Sequence, residues 1–380
     1  EFNCRVSSHT ELSYVPGILY SPKELYFPAK SKQNPNIIHG IYLTGTSAGY
    51  RLSKHVKYIK QQRLNAIVYD IKDVIGFVNY QSKLKDVQLT QGNIQPPISS
   101  LKKFHKKMLA KRIFRIARVA LFQDERLAKA KPHLRILKKD KTPLSVRGHV
   151  VWVDPGLKET QDYNLNLIWE VLQNNPDEVQ LDYVRYPAEG DWKHAFYANI
   201  QSYHEKPIVL TKFLQQVYSL AQAYNTYLSL DVFGVVAWQE KVDIKSTGQD
   251  LRLLSQAADI ISPMLYPSHF GLVFGGKDNP ADHPEYFIAE GCKKTKQVAR
   301  KGIIVRPWLQ AFAWRVTNYN AQYIEKQILG AFKEGAYGFL LWNAKNKYPY
   351  FYIPKLPKEA KLLKKSNDKN VFIPSSLDAG

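Results

Sequence analysis

The stretch DEVQLDYVRYP, residues 177–187, decides how the rest of the chain is read. In it Val179, Leu181 and Tyr183 alternate with Gln180 and Asp182, the period of a strand whose polar residues share one face. Asp182 stands at the carboxyl end of that strand, with Arg185 and Pro187 just beyond. In a closed parallel barrel the polar face turns inward, and the carboxyl end is where catalytic groups collect. The competing reading is a buried aspartate paired with Arg185 for structure alone.

Working outward, seven more segments rich in Val, Ile, Leu or Tyr read as strands: 37–43, 65–71, 112–121, 228–233, 259–265, 302–308 running into Leu309 and Gln310, and 338–342. Helical patterns at about 50–62, 98–111, 158–174 and 209–224 separate several of them. The pattern predicts an α/β protein built on a single (β/α)8 TIM barrel over 37–350. An N-terminal arm (1–36), a C-terminal helix and tail (351–380) and long rim loops around 122–155 and 188–206 complete it. The rival, an open doubly wound sheet, calls for a Gly-rich turn after its first strand. The turn TGTSAG (44–49) has neither the Lys nor the spacing of a phosphate loop. Polar and aromatic residues gather instead at the ends of nearly every strand: Asp70, Asp124, Asp182, Arg185, Asp231, Tyr266, Gln310, Trp342 and Asn343.

With 44% hydrophobic and 13% aromatic residues, the 380-residue chain can fill a large core. No apolar run approaches the roughly 18 residues a membrane span needs. Lys and Arg number 54 against 33 Asp and Glu, a net charge of +21 that favours anionic partners. The cations are spread over 102–118, 129–141, 293–301 and 355–365, as on solvated helix faces, and no nucleic-acid-binding signature accompanies them, so specific nucleic-acid recognition is not expected. Cys4 and Cys292 are the two cysteines. They make no disulfide framework or metal site, and the sequence does not say whether they meet. Cys4 is read as a leftover thiol in preference to a lipid anchor. The chain begins Glu-Phe, and the expectation is an exported protein, periplasmic, envelope-bound or secreted, whose signal peptide is not part of the sequence.

Cleaving a glycosidic bond requires one carboxylic acid to protonate the leaving oxygen and a second carboxylate to attack, or to activate water. Asp182 and Asp231 end successive strands, on neighbouring staves of the barrel, and form the candidate catalytic pair. Arg185 is expected to keep Asp182 ionised, making Asp182 the nucleophile or base and Asp231 the acid, although the reverse stays open. Trp152, Tyr186, Tyr266, Trp308 and Trp342 offer flat faces for sugar rings. Asp70, Asp124, Arg185, His269, Gln310 and Asn343 are the candidate polar contacts, Gln310 and Asn343 being able to bond hydroxyls as donor and acceptor. About half of the aromatics would serve as core under the plainer reading. No paired-His spacing is present, so neither a metal nor another cofactor is expected.

The series GIYLTGTSAG (40–49), IVYDIKD (67–73), RIARVALFQDERLAKAKPHL (115–134), WVDPGLKETQDYNLNLIWE (152–170), VQLDYVRYP (179–187), SLDVFG (229–234), ISPMLYPSHF (261–270), RPWLQAF (306–312) and GFLLWNA (338–344) resembles the bacterial glycoside hydrolase family of TIM-barrel proteins with a DUF4015-type domain, which is distantly similar to α-amylase-type barrels. The resemblance implies that Asp182 occupies the fourth-strand nucleophile position and Asp231 the fifth-strand acid position, where amylase-like barrels carry the longer Glu. The chain departs from the pattern at Val74 and Ile75, where more polar residues are expected, and at Ala311, where an acid is usual. The implied partner is a poly- or oligosaccharide, and the basic surface is compatible with an acidic one. A carbohydrate-binding barrel that has lost its acid is the alternative.

Overall fold

The structure, a computed structural model, describes residues 37–354. The N-terminal arm, Cys4 and nearly all of the C-terminal segment expected from the sequence lie outside the described residues. Eight parallel strands follow one another around a closed barrel: β1 (Ile38–Leu43), β2 (Ala66–Lys72), β3 (Phe114–Ala120), β4 (Glu178–Asp182), β5 (Tyr227–Phe233), β6 (Ile260–Met264), β7 and β8 (Gly338–Trp342). β7 comes in two pieces, Ile304–Val305 and Trp308–Gln310, interrupted by Arg306 and Pro307. Proline has no N–H to give a ladder, which is why the run expected over 302–310 breaks there. Closure is direct: Ile38 pairs with Gly338 and Ile41 with Leu341. A Cβ on Gly338 would stand 1.9 Å from the carbonyl oxygen of Ile38, and its φ is +95°, so only glycine lets β8 approach β1 this closely.

Helices among those between the strands are α1 (Leu52–Gln61), α2 (Leu101–Leu109), α3 (Lys158–Leu172), α4 (Lys206–Ala223), α5 (Leu251–Leu254), α6 (Pro284–Val298) and α7 (Ala321–Lys333), with shorter turns beside them. α2 shows how the sequence sets them. Leu101, Phe104, His105 and Met108 recur at helical spacing and are buried, while the Ser100 hydroxyl accepts the N–H of Lys103 as the cap. The stretch 76–97, expected to be irregular, contains a further turn of helix, Lys85–Gln91, and the Gln91 side chain accepts the N–H of Val78.

Two cores result. The larger lies between barrel and helices. The smaller fills the barrel itself with Ile38, Tyr42, Ala66, Val68, Ile116, Tyr266, Trp308 and Leu340, the strand residues among them taking alternate positions of each strand. Polar groups share that interior. Towards the amino ends of the strands Glu178 pairs with Arg306 and accepts the Ser229 hydroxyl at 2.5 Å. At the carboxyl ends the same alternation within each strand delivers Asp70, Arg118, Asp182 and Asp231. Above them the two long excursions meet, Leu137 and Lys138 pairing antiparallel with Phe196 and Ala195.

Candidate active site

One guanidinium organises the mouth of the barrel. Arg118, from β3, donates through Nη1 to Asp70 on β2 at 2.5 Å. Through Nη2 and Nε it donates to Asp182 on β4, at 2.6 and 3.2 Å. Asp231 on β5 presents its Oδ2 to the same Nε at 3.9 Å. Three carboxylates thus surround a single cation, and all four side chains are buried. The Tyr42 hydroxyl donates to the outer oxygen of Asp70 at 2.5 Å. The Trp308 indole N–H donates to Asp231 Oδ1 at 2.7 Å.

Asp182 and Asp231 differ in their surroundings. Asp182 is held by two nitrogens of Arg118, and its Oδ1 accepts the N–H of Tyr183 at 2.6 Å. Tyr183 has φ +52°, a left-handed conformation uncommon for a non-glycine residue. This turn ends β4 and folds the Tyr183 amide back onto the carboxylate it follows. Asp231 receives one bond, from Trp308, and its Oδ2 has no hydrogen-bond partner. Burial, reinforced by the neighbouring charge of Asp182, pushes its pKa well above the usual carboxylate range, against the opposing pull of Arg118. Burial also raises Asp70, with Arg118 and Tyr42 opposing.

The other expected site residues divide. Trp308 and Tyr266 stand in the barrel interior; burial and then the charges of Asp231 and Asp182 raise the Tyr266 phenol. Trp342 stacks on Tyr42, with centroids 6.4 Å apart, and on Tyr266, 5.5 Å apart. Together with His269 and Asn343, Trp342 lines a cleft of about 700 Å³ formed by the loops after β6, β7 and β8. Phe312, Trp314, Tyr319, Lys345, Lys347 and Tyr348 share that cleft, with Ala311 at the position where the resemblance calls for an acid.

Several expectations are corrected. Arg185 does not hold Asp182: its guanidinium bonds Glu189 and the carbonyl of Tyr186, and lies over the rings of Phe233, Trp152 and Tyr183. Asp124 is no strand-end ligand. It pairs with Lys72 at 2.8 Å, both groups fully buried, and caps a short helix by accepting the N–H of Leu127. Trp152 and Tyr186 are core residues with about 1% exposure or less. Gln310 is used up by the backbone of the loops, accepting from Ser268 and donating to the carbonyls of Phe312 and Trp314. Asn343 ties the cleft wall similarly, donating to Ala311 and accepting from Lys345.

Sequence reading missed the central role of Arg118, the flanking donor Tyr42, the bond from Trp308 to Asp231 (Trp308 being expected only as a face for a sugar ring), and the cleft residues Phe312, Trp314, Lys345 and Lys347. A signal for Arg118 existed. Residues 114, 116 and 118 share a face of β3 that otherwise reads as apolar, and Arg118 lies beside Gln180, two residues before Asp182, in the β3–β4 register. Among the described residues no group of His, Cys, Asp and Glu is arranged to hold a metal ion, the carboxylates here being gathered on a guanidinium instead.

No curated protein matches the sequence. The fold is shared with the glycoside hydrolase domain of PgaB (BpsB) from Bordetella bronchiseptica, at TM-score 0.60 and 10% identity, covering 90% of this chain and 99% of that one. It is shared with an α-amylase from Lactobacillus plantarum, at TM-score 0.54 and 13% identity, covering 88% and 80%. A hypothetical protein from Ruminiclostridium thermocellum is 28% identical over 50% of this chain and 97% of its own, with TM-score 0.45. Residues 40–348, from β1 through the cleft loop after β8, match the family DUF4015, described as "Putative glycosyl hydrolase domain", and the chain belongs to that glycoside hydrolase family.

Proposed function

We propose that the protein hydrolyses a poly- or oligosaccharide with Asp182 as nucleophile and Asp231 as general acid. The observation that carries this reading is the Oδ2 of Asp231, which has no hydrogen-bond partner, on a carboxyl group whose pKa burial and the charge of Asp182 push well up. A buried acid with no acceptor has a proton to give, and the departing glycosidic oxygen is the acceptor it lacks. Asp182, ion-paired with Arg118, is the carboxylate poised to attack. The Oδ2 atoms of both aspartates lie within 3.9 Å of Arg118 Nε, which keeps them no more than about 7 Å apart. That bound admits the roughly 5 to 5.5 Å of retaining enzymes and the lower edge of the inverting range from about 6.5 Å, and the anomer of the product decides between them.

In the retaining course, a carboxylate oxygen of Asp182 bonds the anomeric carbon while the carbon–oxygen bond to the leaving group breaks. The proton on Asp231 Oδ2 moves to that oxygen. Water then attacks the glycosyl ester, Asp231 takes a proton from it, and Asp182 leaves as carboxylate. Arg118 offsets the charge of Asp182 between turnovers, and Trp308 fixes the rotation of Asp231.

The test is reducing-end release from neutral, amino and acidic polysaccharides, with the anomer of the first product read by proton NMR. Release with retained configuration supports the reading. Release with inversion removes Asp182 as nucleophile and makes it the base. Binding of a glycan that is never cleaved replaces the enzyme by a carbohydrate-binding barrel.

A further inference from the structure

The cleft beside the catalytic mouth carries an unusual combination of side chains for a surface with no acid in its wall. Trp314, Trp342 and Phe312 line it with rings, and Lys345 and Lys347 stand at its edge, both exposed. Neither lysine takes part in an ion pair among the described residues, nor does Arg315, which stacks over Trp314 with its guanidinium carbon 4.5 Å from the ring centroid. Some cations elsewhere are matched, as Lys131 is by Asp86 and Glu159 and Lys158 by Asp162. Others, such as Lys102 and Lys103 on α2, form no ion pair among the described residues, and what sets Lys345 and Lys347 apart is the rings beside them.

The lysines are also held in place. Asn346, between them, is buried in a left-handed conformation with φ +51°; its side chain donates to the carbonyl of Tyr42 at 3.1 Å and accepts the N–H of Thr44 at 3.0 Å. The Tyr348 hydroxyl donates to the same Tyr42 carbonyl at 2.6 Å. The loop bearing both lysines is therefore fastened to the end of β1, on the residue whose hydroxyl reaches Asp70.

We propose that this cleft is a subsite for an anionic sugar of the glycan chain, a ring bearing carboxylate, sulfate or phosphate, stacked on Trp314 or Trp342 with its charge on Lys345, Lys347 and Arg315. The inference rests on the glycosidase reading and adds the substrate class to it. Aromatic faces recognise the sugar ring and the unpaired cations recognise the charge. The charge is read in the cleft and not at the scissile bond, because three carboxylates around one guanidinium repel an anion there.

The test uses the Asp182→Asn protein, so that binding is measured without turnover and survives if the catalytic assignment is wrong. Calorimetry compares a neutral cello-oligosaccharide with an oligogalacturonate, a heparin-derived oligosaccharide and a phosphomannan fragment of equal length. The expected result is at least about tenfold tighter binding of one anionic oligomer than of the neutral one, lost in Lys345→Ala/Lys347→Ala and weakened at about 0.5 M NaCl. Trp314→Ala weakens the anionic and neutral oligomers alike, as loss of a stacking face should. Lys102→Ala/Lys103→Ala, on the exposed face of α2, leaves binding unchanged. The preferred oligomer identifies which anionic group is read. Equal binding of neutral and anionic oligomers, absence of binding to any of them, or an equal loss in the α2 variant overturns the proposal. Failure of the catalytic reading shows separately, as hydrolysis that persists in the Asp182→Asn protein.

Discussion

Two buried ionic clusters stand a few residues apart on β2, and they are built on opposite principles. Lys72 donates to Asp124, to the side chain of Asn164 and to the carbonyl of Leu121, all within 3.0 Å. Asp124 uses its other oxygen to cap a helix. One cation meets one anion and every strong group is matched. Two residues earlier, Asp70 shares the single cation Arg118 with Asp182 and Asp231, and one carboxyl oxygen is left with no hydrogen-bond partner. The register shift in β2 between Asp70 and Lys72 separates the two: it turns Lys72 out of the barrel lumen towards α3, while Asp70 stays inside. Balanced buried charge fastens loops, and the unbalanced cluster leaves Asp231 Oδ2 without a hydrogen bond and its carboxyl pKa raised. The comparison explains why Asp124, which resembles a site residue in sequence, is structural, whereas Arg118 belongs to the site.

The largest effect expected from disturbing this contrast comes from Arg118. Arg118→Gln removes the cation facing three carboxylates, and kcat should fall by about 10² to 10³. The basic limb of the pH–rate profile should move to higher pH, because Asp231 loses the charge that opposes its raised pKa. Arg118→Lys keeps the charge without the fork and should restore the position of that limb with only part of the rate. A profile unchanged in both variants would show that Arg118 is scaffolding.

Lys72→Met gives the converse. It leaves Asp124 buried and unpaired, so urea unfolding should report a loss of about 3 to 5 kcal/mol, with kcat of the folded protein little changed. The double variant Lys72→Met/Asp124→Leu should recover much of that loss. A kcat that falls with stability intact would move this pair into the active site.

Trp308→Phe is smaller. It deletes the N–H that favours the carboxylate form of Asp231, so the pKa of the acid rises further and the basic limb of the profile moves up. The rate at the optimum should fall by about tenfold as Asp231 loses its fixed orientation. An acid limb that moves up, with the basic limb in place, would identify Asp231 as needed in its ionised form.

The smallest effect concerns stability alone. Burial raises Asp154 to about 6 from an ordinary 3.8, with the backbone N–H of Gly156 opposing. A raised carboxyl binds its proton more tightly in the folded chain. Its contribution is therefore fully present below about 4 and declines as pH rises towards about 6. Relative to Asp154→Asn, the wild type should lose stability across that window in denaturant titrations. A constant difference between the two proteins would contradict the assignment.

The barrel was legible in the sequence because eight short apolar runs, several closed by a polar residue, repeat along the chain, and only a parallel closed sheet gathers so many strand ends at one place. The β7 interruption could be anticipated at Pro307, but not the lysine loop after β8, whose path depends on Asn346 and Tyr348 reaching back to β1 across the whole chain. For the site, Asp182 and Asp231 were visible because each is the last inward position of its strand. Arg118 was visible as an anomaly but not as a partner, since the pairing of Asp182 with Arg118 or with Arg185 depends on strand adjacency. Sequence nearness pointed to Arg185; β3 lying against β4 brought Arg118 instead.

The measurement that bears most directly on the central claim is reducing-end release from the best glycan substrate by the wild type, Asp182→Asn and Asp231→Asn, with circular dichroism confirming that all three are folded. The account predicts loss of about 10³-fold or more in each variant, since nucleophile and acid are both required. Full activity in either variant would contradict it.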